Sequence, residues 1–242
     1  MRIADYITSL VDYPGKVCTT LFLPGCNLRC PFCYNYLLFE ESKPKEMSGD
    51  YVLQILESRK NFTEYVCITG GESSIQNDLD LFIKKLYCLG FKVKLDTNGL
   101  NPDMIKRCIP YLDYIAMDIK TSPELYVLLE PKATWKLRQF WKSDKFKKIR
   151  FYRDLILESI RLIMNSNINY EFRTTVVPGL VTEKDIRKIG KLVKGCKRYV
   201  LQQYYPEKAY KRKLYPRSYE KKTLIKFKDI LKKYCQEVII KV

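Results

Sequence analysis

The chain of 242 residues contains no histidine. That absence excludes Ser-His-Asp and Cys-His catalysis, HExxH zinc proteases and every mixed Cys/His zinc finger. A metal can be held only by Cys, Asp or Glu. Long apolar runs are missing too, and none approaches the roughly 18 residues of a membrane span. Residues 1–15 lack the apolar segment of a secretory signal. There is no linker rich in Gly, Pro or Ser, no heptad pattern and no internal repeat. The expectation is a cytoplasmic protein with no membrane role. Its 46% hydrophobic and 29% charged residues suit one globular domain spanning 1–242.

The charge is one-sided, with 44 Lys+Arg against 27 Asp+Glu. Two stretches carry nearly all of the excess. Residues 132–153 and 208–228 each hold nine basic residues and one acidic one, or 16 of the 17 net charges. Such patches meet nucleic acid, anionic lipid or an acidic protein, or are simply solvated helix faces.

The hydrophobic pattern alternates between two periods. Short β-branched or aromatic runs fall at 17–23, 65–69, 91–95, 114–117, 170–177, 199–203 and 238–242. Helical spacing fills 51–60, 79–89, 102–109, 152–165, 182–193 and 218–235. Pro102 suits a first helical turn, and Thr182 with Asp185 resembles a capping box. Strand and helix repeated in this way predict right-handed βαβ units and a parallel sheet. About six units make a complete or partial barrel; an open doubly wound sheet is the rival. Residues 122–151, basic and aromatic (Trp135, Phe140, Trp141, Phe146), read as a long inserted connection. Residues 204–242 form a basic C-terminal segment.

Polar motifs sit directly after the strands: Thr69-Gly70-Gly71-Glu72, Asp96-Thr97-Asn98-Gly99, Asp118-Ile119-Lys120 and Val177-Pro178-Gly179. Arg173 and Thr175 alternate on one strand face. In a parallel barrel the carboxyl ends of the strands share one rim, so these groups are expected to converge. Singly, each has a plainer reading as a turn or a helix cap.

Nine cysteines are present, an odd number, and three lie within eight residues. Cys26-Asn27-Leu28-Arg29-Cys30-Pro31-Phe32-Cys33 follows the first strong strand. Three thiolates in one compact loop select zinc, copper(I) or iron–sulfur. A structural zinc site wants four closed ligands. Clusters usually take four thiolates, so three leave one iron open to a substrate or cofactor. Cys18 is expected to point into the core. The other five cysteines read as small buried hydrophobes.

At Cys26–Cys33 the chain resembles the radical S-adenosylmethionine (SAM) enzymes. Ser9-Leu-Val-Asp-Tyr-Pro-Gly15, Phe172-Arg-Thr-Thr-Val-Val-Pro-Gly179 and Leu201-Gln-Gln-Tyr204 extend the likeness over nearly the whole chain. They narrow it to activating enzymes of glycyl-radical proteins, and among those to activators of anaerobic ribonucleoside-triphosphate reductase. The resemblance implies a partial (β/α)6 barrel in which Cys26, Cys30 and Cys33 hold a [4Fe–4S] cluster whose open iron takes SAM. It implies that Phe32, Cys33 and Tyr34 lie along the adenine and that Gly70 and Gly71 allow close approach. It implies that Glu72 holds the methionine amino group. Asp96, Asp118, Ile119, Lys120, Arg173, Thr175 and Tyr205 match positions around the methionine and ribose. The implied chemistry is one-electron cleavage of SAM to a 5′-deoxyadenosyl radical, which takes hydrogen from a glycine Cα of the partner. A flavodoxin- or ferredoxin-type protein would supply the electron. No side-chain base is required, which fits a chain without histidine.

Two departures stand out. Ser73-Ser74 follows Gly-Gly-Glu where the family usually has Pro, a change expected to loosen that loop. Tyr205 stands near a position where several relatives carry histidine. Two other readings remain from the residues alone. One is a radical SAM enzyme acting on a small molecule or RNA. The other is a non-enzymatic metal-bound module that binds nucleic acid or protein through its basic arms.

Overall fold

The computed structural model describes residues 1–39, 46–131 and 145–242. Two short strands, β1 (Arg2–Ile3) and β4 (Met47–Ser48), pair antiparallel beside the main sheet. β2 (Asp5–Tyr13) and β3 (Lys16–Leu23) form a hairpin through Pro14 and Gly15, whose φ of 68° suits glycine. Six parallel strands follow: β5 (Tyr65–Gly70), β6 (Lys92–Thr97), β7 (Tyr114–Asp118), β8 (Asn169–Val176), β9 (Arg198–Gln203) and β10 (Glu237–Lys241). The eight-stranded sheet runs β10-β9-β8-β7-β6-β5-β3-β2, and only the β2–β3 pair is antiparallel.

Helices α1 (Gly49–Ser58), α2 (Leu79–Cys88), α3 (Pro102–Cys108), α4 (Lys145–Met164), α5 (Glu183–Leu192) and α6 (Lys221–Leu231) link the successive parallel strands. Their starts have local causes. Asn101 caps α3 by accepting from the Met104 N–H at 3.2 Å, with Pro102 in the first turn. Asp185 accepts from the Thr182 N–H at 2.9 Å, the back half of the expected capping box.

The sheet curls without closing. Val11 and Asp12 of β2 line the same cleft as Lys241 of β10 and Val242 beyond it. This is the partial barrel, with six strand–helix units and a final strand, and not a flat doubly wound sheet. One strand face buries Leu21, Ile68, Leu95, Met117, Phe172 and Leu201 in the main core cluster beneath the helices. Residues one position away, including Lys94, Asp96, Asp118, Glu171 and Arg173, turn to the concave side, because side chains alternate along a strand. Parallel sheets are usually apolar on both faces, so this charged inner face marks the functional side.

Several expectations shift. β2 was not legible as a strand. α4 begins at Lys145, so 145–151 belong to a helix and not to a connection. Pro123–Leu129 is a buried 3-10 stretch with Tyr126 and Leu129 fully inside, so that part of the presumed insertion is core. Trp135, Phe140 and Trp141 lie outside the described residues. α6 is shorter than 218–235. Cys18 is buried with Tyr13, Cys67, Tyr114 and Ala116 in a second small cluster, as expected. Cys88, expected inside, is exposed at the end of α2. Among the described residues no helix is long and apolar enough to cross a membrane.

Candidate functional site

A cleft of about 650 Å³ opens at the carboxyl ends of the strands. Every site residue expected from the resemblance lines it except Ile119. The Ile119 side chain is fully buried in the core, and its N–H donates to the Arg173 carbonyl at 2.8 Å. Ile119 therefore shapes the floor through its backbone. Of the four strand-end motifs, three reach the cleft. Val177-Pro178-Gly179 turns away, and a Cβ added at Gly179 would lie 3.9 Å from the Tyr215 ring.

One wall is the thiol loop. The Arg29 N–H donates to the Leu129 carbonyl at 2.7 Å, and its guanidinium donates to the carbonyls of Cys26 (2.7 Å) and Leu28 (2.9 Å). Asn98 Nδ2 donates to Asn27 Oδ1 at 2.7 Å, and Asn35 Nδ2 to the Gly70 carbonyl at 3.1 Å. The loop is thus pinned by side chains to β5 and the turn after β6, and by the Arg29 backbone to the 3-10 stretch. Leu28, Cys30 and Phe32 belong to the core, while Cys26 and Cys33 are half-buried. Burial pushes the Cys26 thiol up to about 11 and Cys30 up to about 12. Lys120 pulls the other way at all three thiols.

The glycines of Gly70-Gly71 line the cleft and also permit a close contact within the chain. A Cβ on Gly71 would lie 1.9 Å from the Gly25 carbonyl oxygen, and one on Gly70 2.3 Å from the Leu23 nitrogen. Gly70 also has φ +122°. These residues let the end of β5 press against the end of β3 and the start of the thiol loop. Gly71 N–H donates to the Leu23 carbonyl (2.9 Å) and Glu72 N–H to the Gly25 carbonyl (2.8 Å).

Glu72 is 3% exposed. Its Oε1 accepts from the Ser74 N–H (3.1 Å), the Ser74 hydroxyl (2.6 Å) and the Thr97 hydroxyl (2.7 Å). Its Oε2 accepts from the Asn98 N–H at 2.6 Å. Burial pushes this carboxyl up, and those donors draw it back. Glu72 is therefore first a brace, with one Oε2 lone pair left over. Ser74 supplies two of its donors, and Ser73 Oγ donates to the Thr69 carbonyl at 3.2 Å. The Ser-Ser departure fastens the loop that it was expected to loosen.

The opposite wall is a row of alternating charges. Lys94 pairs with Asp96. Asp96 accepts from Arg173 Nη2 at 3.0 Å, and Arg173 Nε donates to Asp118 at 2.7 Å. Asp118 accepts from Lys120 Nζ at 2.7 Å. Glu171 lies 4.0 Å from Arg173. Burial disfavours the charges of Lys94, Asp96, Asp118, Lys120 and Arg173, yet Arg173, Lys94 and Lys120 hold the Asp96 and Asp118 carboxyls below the usual range. Asp118 in turn holds Lys120 protonated. Lys94 and Glu171 were missed in the sequence, although each stands two residues before an expected site residue on the same strand face. Both are buried behind the wall and do not line the cleft, whereas Asp12, Asn98, Gln202 and Lys208, none of them among the expected site residues, do. The Tyr34 hydroxyl accepts from the Tyr205 N–H at 2.7 Å, joining the two walls' outer rims.

Three thiols of one loop at the cleft suit a cluster that leaves one iron open. Among the described residues no three Cys, Asp or Glu side chains are gathered closely enough to hold a single metal ion. Tetrahedral zinc would set its sulfurs about 3.8 Å apart, from Zn–S bonds near 2.3 Å. A zwitterionic sulfonium ligand needs carboxylates for its ammonium and cations for its carboxylate, and the facing row carries both.

The family profile described as the radical SAM superfamily matches residues 20–193. A candidate glycyl-radical enzyme activating enzyme of Methanocaldococcus jannaschii is 35% identical over 241 residues, 96% of this chain and 92% of that protein. The pyruvate formate-lyase-activating enzyme of Clostridium pasteurianum is 26% identical over 195 residues, 78% of this chain and 74% of that one. Among solved structures, Streptococcus suis SuiB bound to S-adenosylmethionine gives a TM-score of 0.62 at 14% identity, covering 92% of this chain and 52% of SuiB. That last likeness is one of fold. The chain belongs to the radical SAM superfamily, within the family of glycyl-radical enzyme activating enzymes, and is an enzyme of that type. The family works with a [4Fe–4S] cluster and SAM.

Proposed function

We propose that this chain installs a glycyl radical on a partner enzyme, and that the partner is anaerobic ribonucleoside-triphosphate reductase. The observation that carries the reading is the three-thiol loop facing a row of buried carboxylates and cations across one cleft. Cys26, Cys30 and Cys33 would hold the cluster. Asp96 and Asp118 offer acceptors to the methionine ammonium, and Lys120 and Arg173 offer donors to its carboxylate. Thr175 and Tyr205 stand on the same cleft wall for the ribose, and Phe32 and Tyr34 present rings for the adenine. When bound, the reduced cluster supplies the electron that splits SAM into methionine and a 5′-deoxyadenosyl radical able to take hydrogen from a glycine Cα. The protein contributes orientation and exclusion of water. A flavodoxin- or ferredoxin-type carrier in the cytoplasm is the proposed electron source.

Anaerobic reconstitution tests this directly. The chain should bind about four irons and cleave SAM with dithionite. The candidate reductase should then acquire a glycyl EPR signal. Cys26→Ala or Cys33→Ala should lose iron and cleavage while keeping the fold. Cys30→Ala is the poorer probe, because Cys30 lies in the core. A colourless protein that binds zinc would defeat the reading.

A further inference from the structure

The thiol loop has an outer side as well as a cleft side, and residues 208–217 run across it. The Tyr210 N–H donates to the Cys33 carbonyl at 2.9 Å, and the Lys211 N–H to the Pro31 carbonyl at 2.8 Å. The Tyr210 ring stacks on Tyr36 at 5.3 Å and meets Phe39 edge-on at 5.5 Å. The segment is thereby fixed one hydrogen bond from the backbone of an expected cluster ligand. Lys211, Arg212, Lys213 and Arg217 are all exposed. On α6, Lys222 and Lys226 are neutralised by Glu220 and Glu183, but these four have no carboxylate within 4.0 Å among the described residues. Leu214, 59% exposed, sits among them.

We propose that this patch is the docking surface for an acidic one-electron carrier protein; the proposal rests on the radical SAM reading above. Three observations converge on that occupant. The patch touches the loop that would hold the cluster, so a carrier seated there is close to the acceptor. Among the described residues its cations meet no carboxylate and are of one sign, which steers an acidic partner and suits the small, weak interfaces of redox encounters. None of the four cations lines the cleft, so a seated carrier leaves the substrate's path open. One electron leaves the carrier and one enters the cluster, and no bond changes at the surface itself.

The test uses the full chain, reconstituted anaerobically, with a flavodoxin as the acidic probe. K211E/R212E/K213E should weaken flavodoxin binding at least about tenfold, or 1.4 kcal/mol, and flatten its salt dependence. K221E/K222E/K233E makes the same charge change on and just after α6 and should alter binding less than about twofold. Dithionite-driven SAM cleavage should be equal in all three proteins, because dithionite bypasses docking. Equal weakening by both triple variants would reduce the effect to net charge and overturn the proposal. Unchanged flavodoxin binding in K211E/R212E/K213E would overturn it too, as would loss of RNA or reductase binding in its place. Wild-type protein without iron, or without dithionite-driven cleavage, would defeat the proposed function first and this inference with it.

Discussion

The Asn98 N–H donates to Glu72 Oε2 at 2.6 Å, and that contact ties the turn after β5 to the turn after β6. Thr97 donates to the same carboxylate, so two strand ends share one buried acceptor. The cleft floor is held together by the chain's own groups.

Replacing Glu72 by Gln turns one acceptor into a donor among donors. An unsatisfied buried group costs about 1–3 kcal/mol, which for a chain of this size lowers the melting temperature by roughly 3–10 °C. Ser74→Ala, which removes a single donor, should cost about 1 kcal/mol. Calorimetry of the apo protein measures both. An unchanged midpoint for Glu72→Gln would show that the brace carries no stability.

Arg173 separates two buried carboxylates. Arg173→Met leaves Asp96 and Asp118 facing each other without it, and breaking such a pair costs about 3–5 kcal/mol. Arg173→Lys keeps the charge but loses the forked geometry, so it should recover only part of that loss. Urea denaturation separates the two. Equal midpoints for both variants would contradict the bidentate role.

The same row sets an acid limit. The folded acidity constants of Asp96 and Asp118 lie below the ordinary value of 3.8. A depressed carboxylate adds stability that is present above its unfolded value and lost as pH falls toward its folded value. Glu72, raised by burial, acts in the opposite sense. The denaturation midpoint of the apo protein should hold from about pH 7 to 5 and fall below about pH 4. Asp118→Asn should start lower and fall less steeply. Parallel acid limbs in the two proteins would rule out this origin.

Gly71→Ala places a methyl group where the Gly25 carbonyl already stands. The two strand ends must separate, so iron retention after reconstitution should fall together with the melting temperature. Gly15→Ala meets nothing within 4 Å and is strained only by its φ of +68°, so a loss of about 1 kcal/mol with normal iron content is expected. Normal iron in Gly71→Ala would show that the approach is not needed for cluster binding.

Much of this arrangement is legible in the sequence. The seven parallel strands announce themselves by short β-branched runs, and the motifs at their ends fall on one rim for topological reasons. What stays hidden depends on partners distant in sequence. Nothing local says that the space beside Gly71 belongs to Gly25, or that Glu72 will meet Thr97 and Asn98. Lys94 and Glu171 were within reach, because each alternates with an expected site residue, but an isolated Lys in a strand looks like surface. β2 escaped because its ladder is broken: the register shifts between Ser9 and Tyr13. There Ser9 Oγ accepts from the Val11 and Asp12 N–H groups at 3.2 Å.

That irregularity bears on how the molecule behaves in a crowded solution. A sheet that stops short of closure keeps two bare margins, β10 and β2, and β2 has Leu10 and Val11 74% and 78% exposed. Straight, it would be a template on which a second copy adds strand to strand. The kink at Leu10–Asp12 spoils the repeat that such stacking requires, so the feature that aims Asp12 inward also guards the protein against polymerising through this edge.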